Sequence, residues 1–389
     1  MARITIDYTP AIHQSAGIAR LTREIARAVL AADRSHRYTL FVMGRPAPSV
    51  PLSNLMNTRD LPLRVTQLSD RWLYRLWFRA RLPLDVRLLS GPCDLYHATD
   101  FVLPPLKGDV PALLTVHDLS FERDPDSAPP RLLPFLRRVV PDSVRRAAHV
   151  VADSHATAGD LQALYGVPAE KITIIHSGVE ARFTPYQDTL YHRRRRAHVL
   201  KKYGLGDAPF LLTVGTMQRR KNHLRLVQAF ARLVKRLPSA DRPQLVIAGG
   251  KGWLYDDVRA EVARLGLTDA VRFIGYVDDA DLPHLYQAAA VFAFPSIYEG
   301  FGLPPLEAMA CGVPVVASNA SSLPEVVGDA GALVDPLDVE ALAAALEQAL
   351  CDEGWRRRAI ARGLERAAHF TWARAAQQLL AVYDRLLRK

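Results

Sequence analysis

Short apolar runs alternate with helix-patterned segments along almost the whole chain, and they do so in two successive series. In the first, Arg3 to Tyr8, Tyr38 to Met43, Asp94 to Ala98, Ala112 to Val116 and His149 to Ala152 read as strands. Helical patterns lie over Gly17 to Ala32, Leu132 to Ala147 and Ser154 to Tyr165. The second series has strands at Phe210 to Val214, Gln244 to Ala248, Val271 to Ile274 and Val291 to Phe294, and Val313 to Val316 closes them. Helices are expected from Asn222, from Trp253 and over Asp281 to Ala289, with three more from Asp338 onward. Such alternation predicts parallel sheets covered by helices on both faces. The 389 residues suit two domains better than one core. The expected fold is therefore α/β, with two facing Rossmann-like domains and a ligand site in the cleft at the carboxyl ends of their strands.

A composition break follows Ile172 to Ile175, where Thr184-Pro185 leads into the arginine-rich stretch Tyr191 to Lys202 and the turn cluster Gly204 to Pro209. This places a first domain at 1–185, a linker region at 186–208 and a second domain from 209.

Composition narrows the function classes. Hydrophobic residues make up 49% and charged residues 23%, as in a folded globular protein. The net charge of +10 suits an anionic partner. No helix-turn-helix, zinc-finger or RNA-binding aromatic signature accompanies it, so nucleic acid is not the expected partner. Cys93, Cys311 and Cys351 lack metal-ligand spacing and read as buried thiols of a reducing compartment. Met1 leads straight into a strand pattern without signal-peptide features, and no run approaches the roughly 18 apolar residues of a membrane span. A cytoplasmic protein is expected.

The most informative local signal runs from Pro295 to Ala310. Glu299 and Glu307 are separated by Gly300, Gly302, Pro304 and Pro305, which prevent one helix from carrying both carboxylates. A helix beginning near Leu303 would leave the amides of Gly300, Phe301, Gly302 and Leu303 to meet an anion, with a carboxylate on either side. A second signal, Gly215-Thr216-Met217-Gln218-Arg219-Arg220-Lys221-Asn222, directly follows the strand Phe210 to Val214. With Asn222 as N-cap, its basic residues gather at the positive end of a helix, where a diphosphate fits. In the first half, Val116-His117-Asp118 ends a strand, so His117 is either a structural histidine or one facing the site. Tyr96-His97-Ala98 has the same two readings.

Together these residues resemble the retaining transferases of glycosyltransferase family 4, which have two facing Rossmann-like lobes, the GT-B architecture. The resemblance rests on Glu299 and Glu307 with seven residues between, on Arg220-Lys221-Asn222, and on Phe273-Ile274-Gly275-Tyr276. Ile175-His176-Ser177-Gly178-Val179 and the closing Phe370-Thr371-Trp372 also carry it. It implies that the second domain, 209–369, binds the nucleotide-sugar donor, that 1–185 is acceptor-side, and that 370–389 is a helix crossing back to the first domain. It further implies that Glu299 accepts from donor-sugar hydroxyls, Glu307 from the ribose, and that Lys221 with Arg219 or Arg220 neutralises the diphosphate, with Arg220 preferred. His117 would face the reacting carbon, making His117, Lys221 and Glu299 the catalytic set. Gly17 would let the backbone approach the substrates, and Gly215 would line the donor site. Thr216 stands where many members have an arginine.

No cofactor and no metal are expected. Asp124-Pro125-Asp126 lies in a proline-rich loop, and Asp278-Asp279-Ala280-Asp281 reads as an acidic helix start. The resemblance implies same-face transfer of a hexose to an acceptor hydroxyl in polysaccharide or lipopolysaccharide assembly, with GDP-mannose the first donor to consider and a saccharide or lipid-linked saccharide as acceptor. A sugar-nucleotide epimerase of the same fold and a non-catalytic carbohydrate-binding protein are the alternatives. Finally, Asp70 to Leu82 predicts a basic amphipathic helix, with Leu73, Leu76, Trp77, Ala80 and Leu84 on one face and Arg71, Arg75, Arg79 and Arg81 around it. Residues 71–82 thus suit either an anionic membrane surface at the inner face of the cytoplasmic membrane or packing on the first domain.

Overall fold

A computed structural model of the protein describes residues 1–14, 17–45, 63–252 and 255–388. Two compact units are present: Met1–Glu122 with Ala128–Gly178 and Thr371–Lys389, and Arg123–Ser127 with Val179–Phe370.

The first unit holds a seven-stranded sheet of β1 (Arg3–Asp7), β2 (Arg37–Met43), β3 (Leu63–Thr66), β4 (Leu95–Ala98), β5 (Ala112–Val116), β6 (His149–Ala152) and β7 (Ile172–Ile174). The order is β3-β2-β1-β4-β5-β6-β7, and every pair is parallel. All residues of β4, β5 and β6 are buried, which is why these strands read as unbroken apolar runs. Chain order reverses between β1 and β4, so the loops after these two strands diverge and leave a crevice at the carboxyl edge.

The second unit repeats the scheme with β8 (Phe210–Val214), β9 (Gln244–Ala248), β10 (Val271–Gly275), β11 (Val291–Phe294), β12 (Val315–Ser318) and β13 (Ala332–Val334). Their order is β10-β9-β8-β11-β12-β13, again all parallel, with the reversal between β8 and β11. The strand expected at Val313 to Val316 is displaced to Val315–Ser318, since Gly312, at φ 72, belongs to the preceding turn and Pro314 has no N–H to give to the ladder. β13 adds an unanticipated edge strand, too short at three half-buried residues to show a period. The helix expected from Trp253 runs over Tyr255–Arg264, and Trp253 itself lies outside the described residues.

The stretch 186–208 is not a linker. Leu190–Lys202 is a helix of the second unit, begun by Thr189, whose hydroxyl accepts from the His192 N–H at 3.3 Å. Only Val199 and Leu200 of this helix enter the core, so its polar composition conceals it. Arg195 and Lys202 fasten it to Asp281 at 3.0 and 2.6 Å, and Lys202 also reaches Asp278 at 2.6 Å.

The last helix, Trp372–Leu387, packs on the first unit against the helix Gly17–Ala32 and β4. Ala375, Ala376, Leu379, Val382, Tyr383 and Leu386 form its buried face. Its Tyr383 hydroxyl meets His97 Nδ1 at 2.7 Å, while His97 Nε2 meets the Thr115 hydroxyl at 2.8 Å. Of the two readings of Tyr96-His97-Ala98 the structural one holds: this is β4 itself, and burial pushes the His97 imidazole down to about 3, keeping it neutral.

Two other expectations change. Cys93 and Cys311 are buried, but Cys351 is exposed, since it ends the helix Val339–Cys351. The segment 70–82 is not one regular amphipathic helix. An α-helix, Asp70–Tyr74, passes into a π-helical turn, Arg75–Arg79, and ends at Arg81, whose φ is 55. The wider turn changes the angular spacing, so Leu73 and Trp77 pack in the core while Ala80 and Leu84 stay exposed.

Leu379 is 3% exposed in the face that joins the last helix to the first unit. Leu379→Ala should therefore destabilise that unit by about 3 kcal/mol, through lost burial and a residual cavity. Urea unfolding followed by circular dichroism checks this; a loss below about 1 kcal/mol would mean that the helix contributes little.

Candidate functional site

In the second unit β8 and β11 are neighbours, paired Leu211 with Val291 and Leu212 with Phe292. Their following loops, Gly215 to Asn222 and Pro295 to Gly302, therefore leave the same edge side by side. There the Glu299 carboxylate lies between two cations, 2.7 Å from Lys221 Nζ and 2.9 Å from Arg220. All three side chains are largely buried, at 9, 11 and 18% exposure. Burial would raise the Glu299 carboxyl, but Arg220 and Lys221 outweigh it and hold it at about 2. Lys221 Nζ also sits 4.7 Å from the centre of the Phe294 ring. Arg219, the alternative to Arg220, is directed instead to Asp126 at 2.6 Å.

The β8 loop owes its shape to glycines at two places. Gly215 N–H donates to the Ala248 carbonyl at 2.8 Å, and Gly249 lies directly on the Gly215 carbonyl, where any Cβ would overlap it. Gly252 does the same at the Met217 carbonyl. Sequence reading passed over Gly249-Gly250-Lys251-Gly252, although three glycines within four residues immediately after a strand were a visible signal of close backbone approach. Thr216 is half-buried and its carbonyl accepts from the Gln218 N–H at 2.8 Å, and a 3₁₀ turn, Arg219–Lys221, then carries the basic residues.

Asn222 does not cap the next helix with its side chain. Its backbone is left-handed, at φ 59, a conformation that asparagine tolerates. Its buried amide instead donates to the carbonyls of Pro295 and Pro336, at 3.0 and 2.6 Å. This ties the β8 loop to the β11 loop directly, as does the Ile297 N–H donating to the Arg220 carbonyl at 2.7 Å.

The β11 loop is anchored by its carbonyls. Ser321 and Ser322 hydroxyls donate to the Glu299 carbonyl at 2.6 and 2.9 Å, and Ser322 also to that of Phe301 at 2.5 Å. Gly302, at φ 124, ends the loop in a conformation barred to other residues, and the helix Leu303–Ala310 begins with Pro304 and Pro305 in its first turn. Phe301 packs edge-on to Phe370 at 5.7 Å, and Leu303 is half-buried. Glu307, within this short helix and 2% exposed, accepts from the Tyr286 hydroxyl at 3.0 Å. The two glutamates thus occupy different elements, with Gly300 to Leu303 between them.

The first-unit candidates are placed separately. Gly17 opens the helix Gly17–Ala32, exposed and with open space around it. His117, just after β5, is 4% exposed; Nδ1 lies 2.8 Å from Asp153 and Nε2 2.8 Å from the Thr99 carbonyl. Since a carbonyl and a carboxylate both accept, both ring nitrogens carry protons. Burial alone would lower the pKa, but Asp153, with a smaller contribution from Asp100, carries it up to about 9. The resulting stabilisation is complete below the ordinary histidine pKa of about 6.5 and is lost as pH rises through about 9. The His117 ring should accordingly titrate near pH 9 in a proton NMR titration, and Asp153→Asn should move the midpoint to lower pH. A wild-type midpoint near 6.5 would mean that the imidazole is neutral at pH 8.

The family described as "Glycosyl transferases group 1" matches residues 196–366, and "Glycosyltransferase Family 4" matches 15–183. O-antigen chain mannosyltransferase B of Escherichia coli is 38% identical over 293 residues, covering 75% of this chain and 74% of that protein. The serotype-specific mannosyltransferase WbdA of Escherichia coli is 34% identical over 244 residues, covering 62% of this chain but only 29% of that longer protein. Among solved structures, Anabaena HepE in complex with UDP and glucose superposes over 99% of this chain and 100% of that one, with a TM-score of 0.74 at 20% identity. With two parallel-sheet units of this topology and with both family segments in order along the chain, the protein belongs to glycosyltransferase family 4 and is a glycosyltransferase.

Proposed function

We propose that the protein is a retaining, metal-independent hexosyltransferase that moves mannose from GDP-mannose to a saccharide acceptor in bacterial surface-polysaccharide assembly. The observation that carries this reading is the buried cluster of Lys221, Arg220 and Glu299 at the β8 and β11 edge. Two cations held in a site of low dielectric are suited to a diphosphate, which would take over Lys221 and Arg220 and release Glu299 toward the donor sugar. Mannose is supported by the names of the two Escherichia coli relatives.

In the proposed step the bond from the sugar's anomeric carbon to the diphosphate oxygen breaks, and a bond from that carbon to the acceptor oxygen forms on the same face. The acceptor's proton passes to the departing diphosphate oxygen, and Lys221 and Arg220 stabilise the charge developing there. Glu299 and Glu307 orient the sugar and the ribose. Lysine and arginine here take the role that a divalent ion fills in other transferases.

GDP should raise the melting temperature in the presence of a chelator while UDP, dTDP and ADP do not, because a ligand at 100 times its Kd stabilises by about 2.7 kcal/mol. Lys221→Ala and Glu299→Ala should each lower transfer roughly a hundredfold without unfolding the protein, and Glu307→Ala should weaken donor binding more than turnover. Near-normal kcat/KM in the first two variants would remove these residues from the reaction, and a requirement for metal would overturn the metal-independent route.

A lipid-linked acceptor and a peripheral position at the membrane are part of the same proposal. None of the described helices is long and apolar enough to cross a membrane. Yet Trp72, Leu82, Leu84 and Leu88 are 58, 42, 44 and 76% exposed among exposed Arg71, Arg75, Arg79 and Arg81. Exposed apolar side chains interspersed in the sequence with exposed arginines suit an anionic bilayer. Vesicles containing anionic phospholipid should sediment the protein, and salt should weaken the binding by screening. Trp72→Ala with Arg75→Ala and Arg79→Ala should reduce recovery several-fold, whereas no sedimentation, or recovery unchanged in the triple variant, would leave a surface patch without membrane affinity.

A further inference from the structure

The second unit contains a cavity of about 230 Å³, well beyond the roughly 10–15 Å³ that a single water needs. Its walls are the β8 loop at Arg219, the start of the helix His223–Arg236, Val258 of the helix Tyr255–Arg264, Ile297 of the β11 loop, and Leu337. Lys221, Arg220 and Glu299 do not line it, so it is separate from their cluster. Among the described residues its lining holds two arginines and a histidine, and no carboxylate.

The helix that opens onto this cavity starts with its donors unmet. Asn222 directs its side-chain amide to Pro295 and Pro336, and no side chain caps the helix. The N–H groups of His223, Leu224 and Arg225 therefore have no acceptor among the described residues. They form the positive end of a helix of 14 residues.

His223 is independent evidence for a ligand. It lines the cavity and is 3% exposed, yet neither of its ring nitrogens has a hydrogen-bond partner among the described residues. Rings buried to this degree ordinarily have one. Nδ1 is sealed from solvent and Nε2 is not, so Nε2 is the nitrogen that a ligand can reach. Burial, with a smaller contribution from Lys221, pushes the imidazole down to about 4, and the neutral ring offers one N–H. Arg225, the next polar side chain of the same turn, donates from Nη1 to Asn222 Oδ1 at 3.0 Å and makes no ion pair among the described residues.

Three unmet amides, an imidazole N–H and a guanidinium without a carboxylate suit an anion with several acceptor oxygens, as a phosphoryl group has. Val258, Ile297 and Leu337 are apolar and leave room for a compact apolar body on the phosphate. We propose that this cavity is a second phosphate site: a small phosphate binds with its phosphoryl group at the start of the helix His223–Arg236, and His223 Nε2 and Arg225 are its side-chain ligands.

Calorimetric titration of the full chain with phenyl phosphate and with inorganic phosphate tests this. No sugar nucleotide is present, so the donor reading stands or falls separately. Phenyl phosphate should bind, and inorganic phosphate should bind several-fold more weakly because it lacks the apolar contacts. His223→Phe, which keeps a ring of similar size, and Arg225→Gln should each raise the Kd for phenyl phosphate about tenfold or more, as for loss of a hydrogen bond to a charged group. Lys221→Ala should leave it within about threefold, since Lys221 does not line the cavity. If His223→Phe fails to fold by circular dichroism, Arg225→Gln decides alone. Equal affinity for the two phosphates supports the site with the free ion as its ligand. No binding of either up to about 10 mM, equal binding of phenol, or a loss in Lys221→Ala without one in the two cavity variants overturns the proposal, the last by placing the anion on the Lys221 cluster.

Discussion

The parallel pairing of β8 with β11 is the constraint on which the second unit's chemistry depends. These strands are far apart in sequence, and β9 and β10 lie between them along the chain but to one side in the sheet. Only because the order reverses here do the loops Gly215 to Asn222 and Pro295 to Gly302 emerge together, one from each half of the sheet. Asn222 then fixes their separation by bonding across to Pro295 and Pro336. A residue that merely capped a helix would leave that separation to side-chain packing.

Given this frame, the electrostatics of Glu299 follow. A carboxylate at 9% exposure would be driven toward its neutral form without compensation, and Lys221 and Arg220 supply it from the adjacent loop. The converse also holds: two nearly buried cations need an anion, and Glu299 provides it. Each partner is thus kept charged and in place. Arg219, one residue earlier, is 58% exposed and paired with Asp126, so neighbouring arginines in one basic run have different environments.

Much of this arrangement was legible in the sequence, because it is written in local patterns. The strand Phe210–Val214 and the helix Gly17–Ala32 have periods and ends that residues alone define. The separation of Glu299 from Glu307 by two glycines and two prolines also required no tertiary information. What escaped was set by contacts distant in sequence. The helix Leu190–Lys202 looks like a polar linker until Val199 and Leu200 meet the second core. The π turn at Arg75–Arg79 re-phases a helix whose residues give an ordinary amphipathic spacing. Asn222 has the composition of a cap but the backbone of a left-handed link, and only its two carbonyl partners explain the choice.

In the first sheet, the strand order and residue type point to different residues. His117 attracts notice as a histidine at a strand's end, yet β5 is one strand away from the reversal, and both its ring nitrogens are committed to Asp153 and Thr99. Asp100 attracts none, lying in the unremarkable run Thr99-Asp100-Phe101, but β4 borders the reversal and one of its carboxylate oxygens is unpartnered among the described residues. Both are linked to Thr99, His117 through its carbonyl and Asp100 through the chain. The second unit's reversal presents Lys221 and Arg220, whereas the first presents a carboxylate beside a single imidazolium. Similar edges of the two sheets thus carry different sets of charged groups.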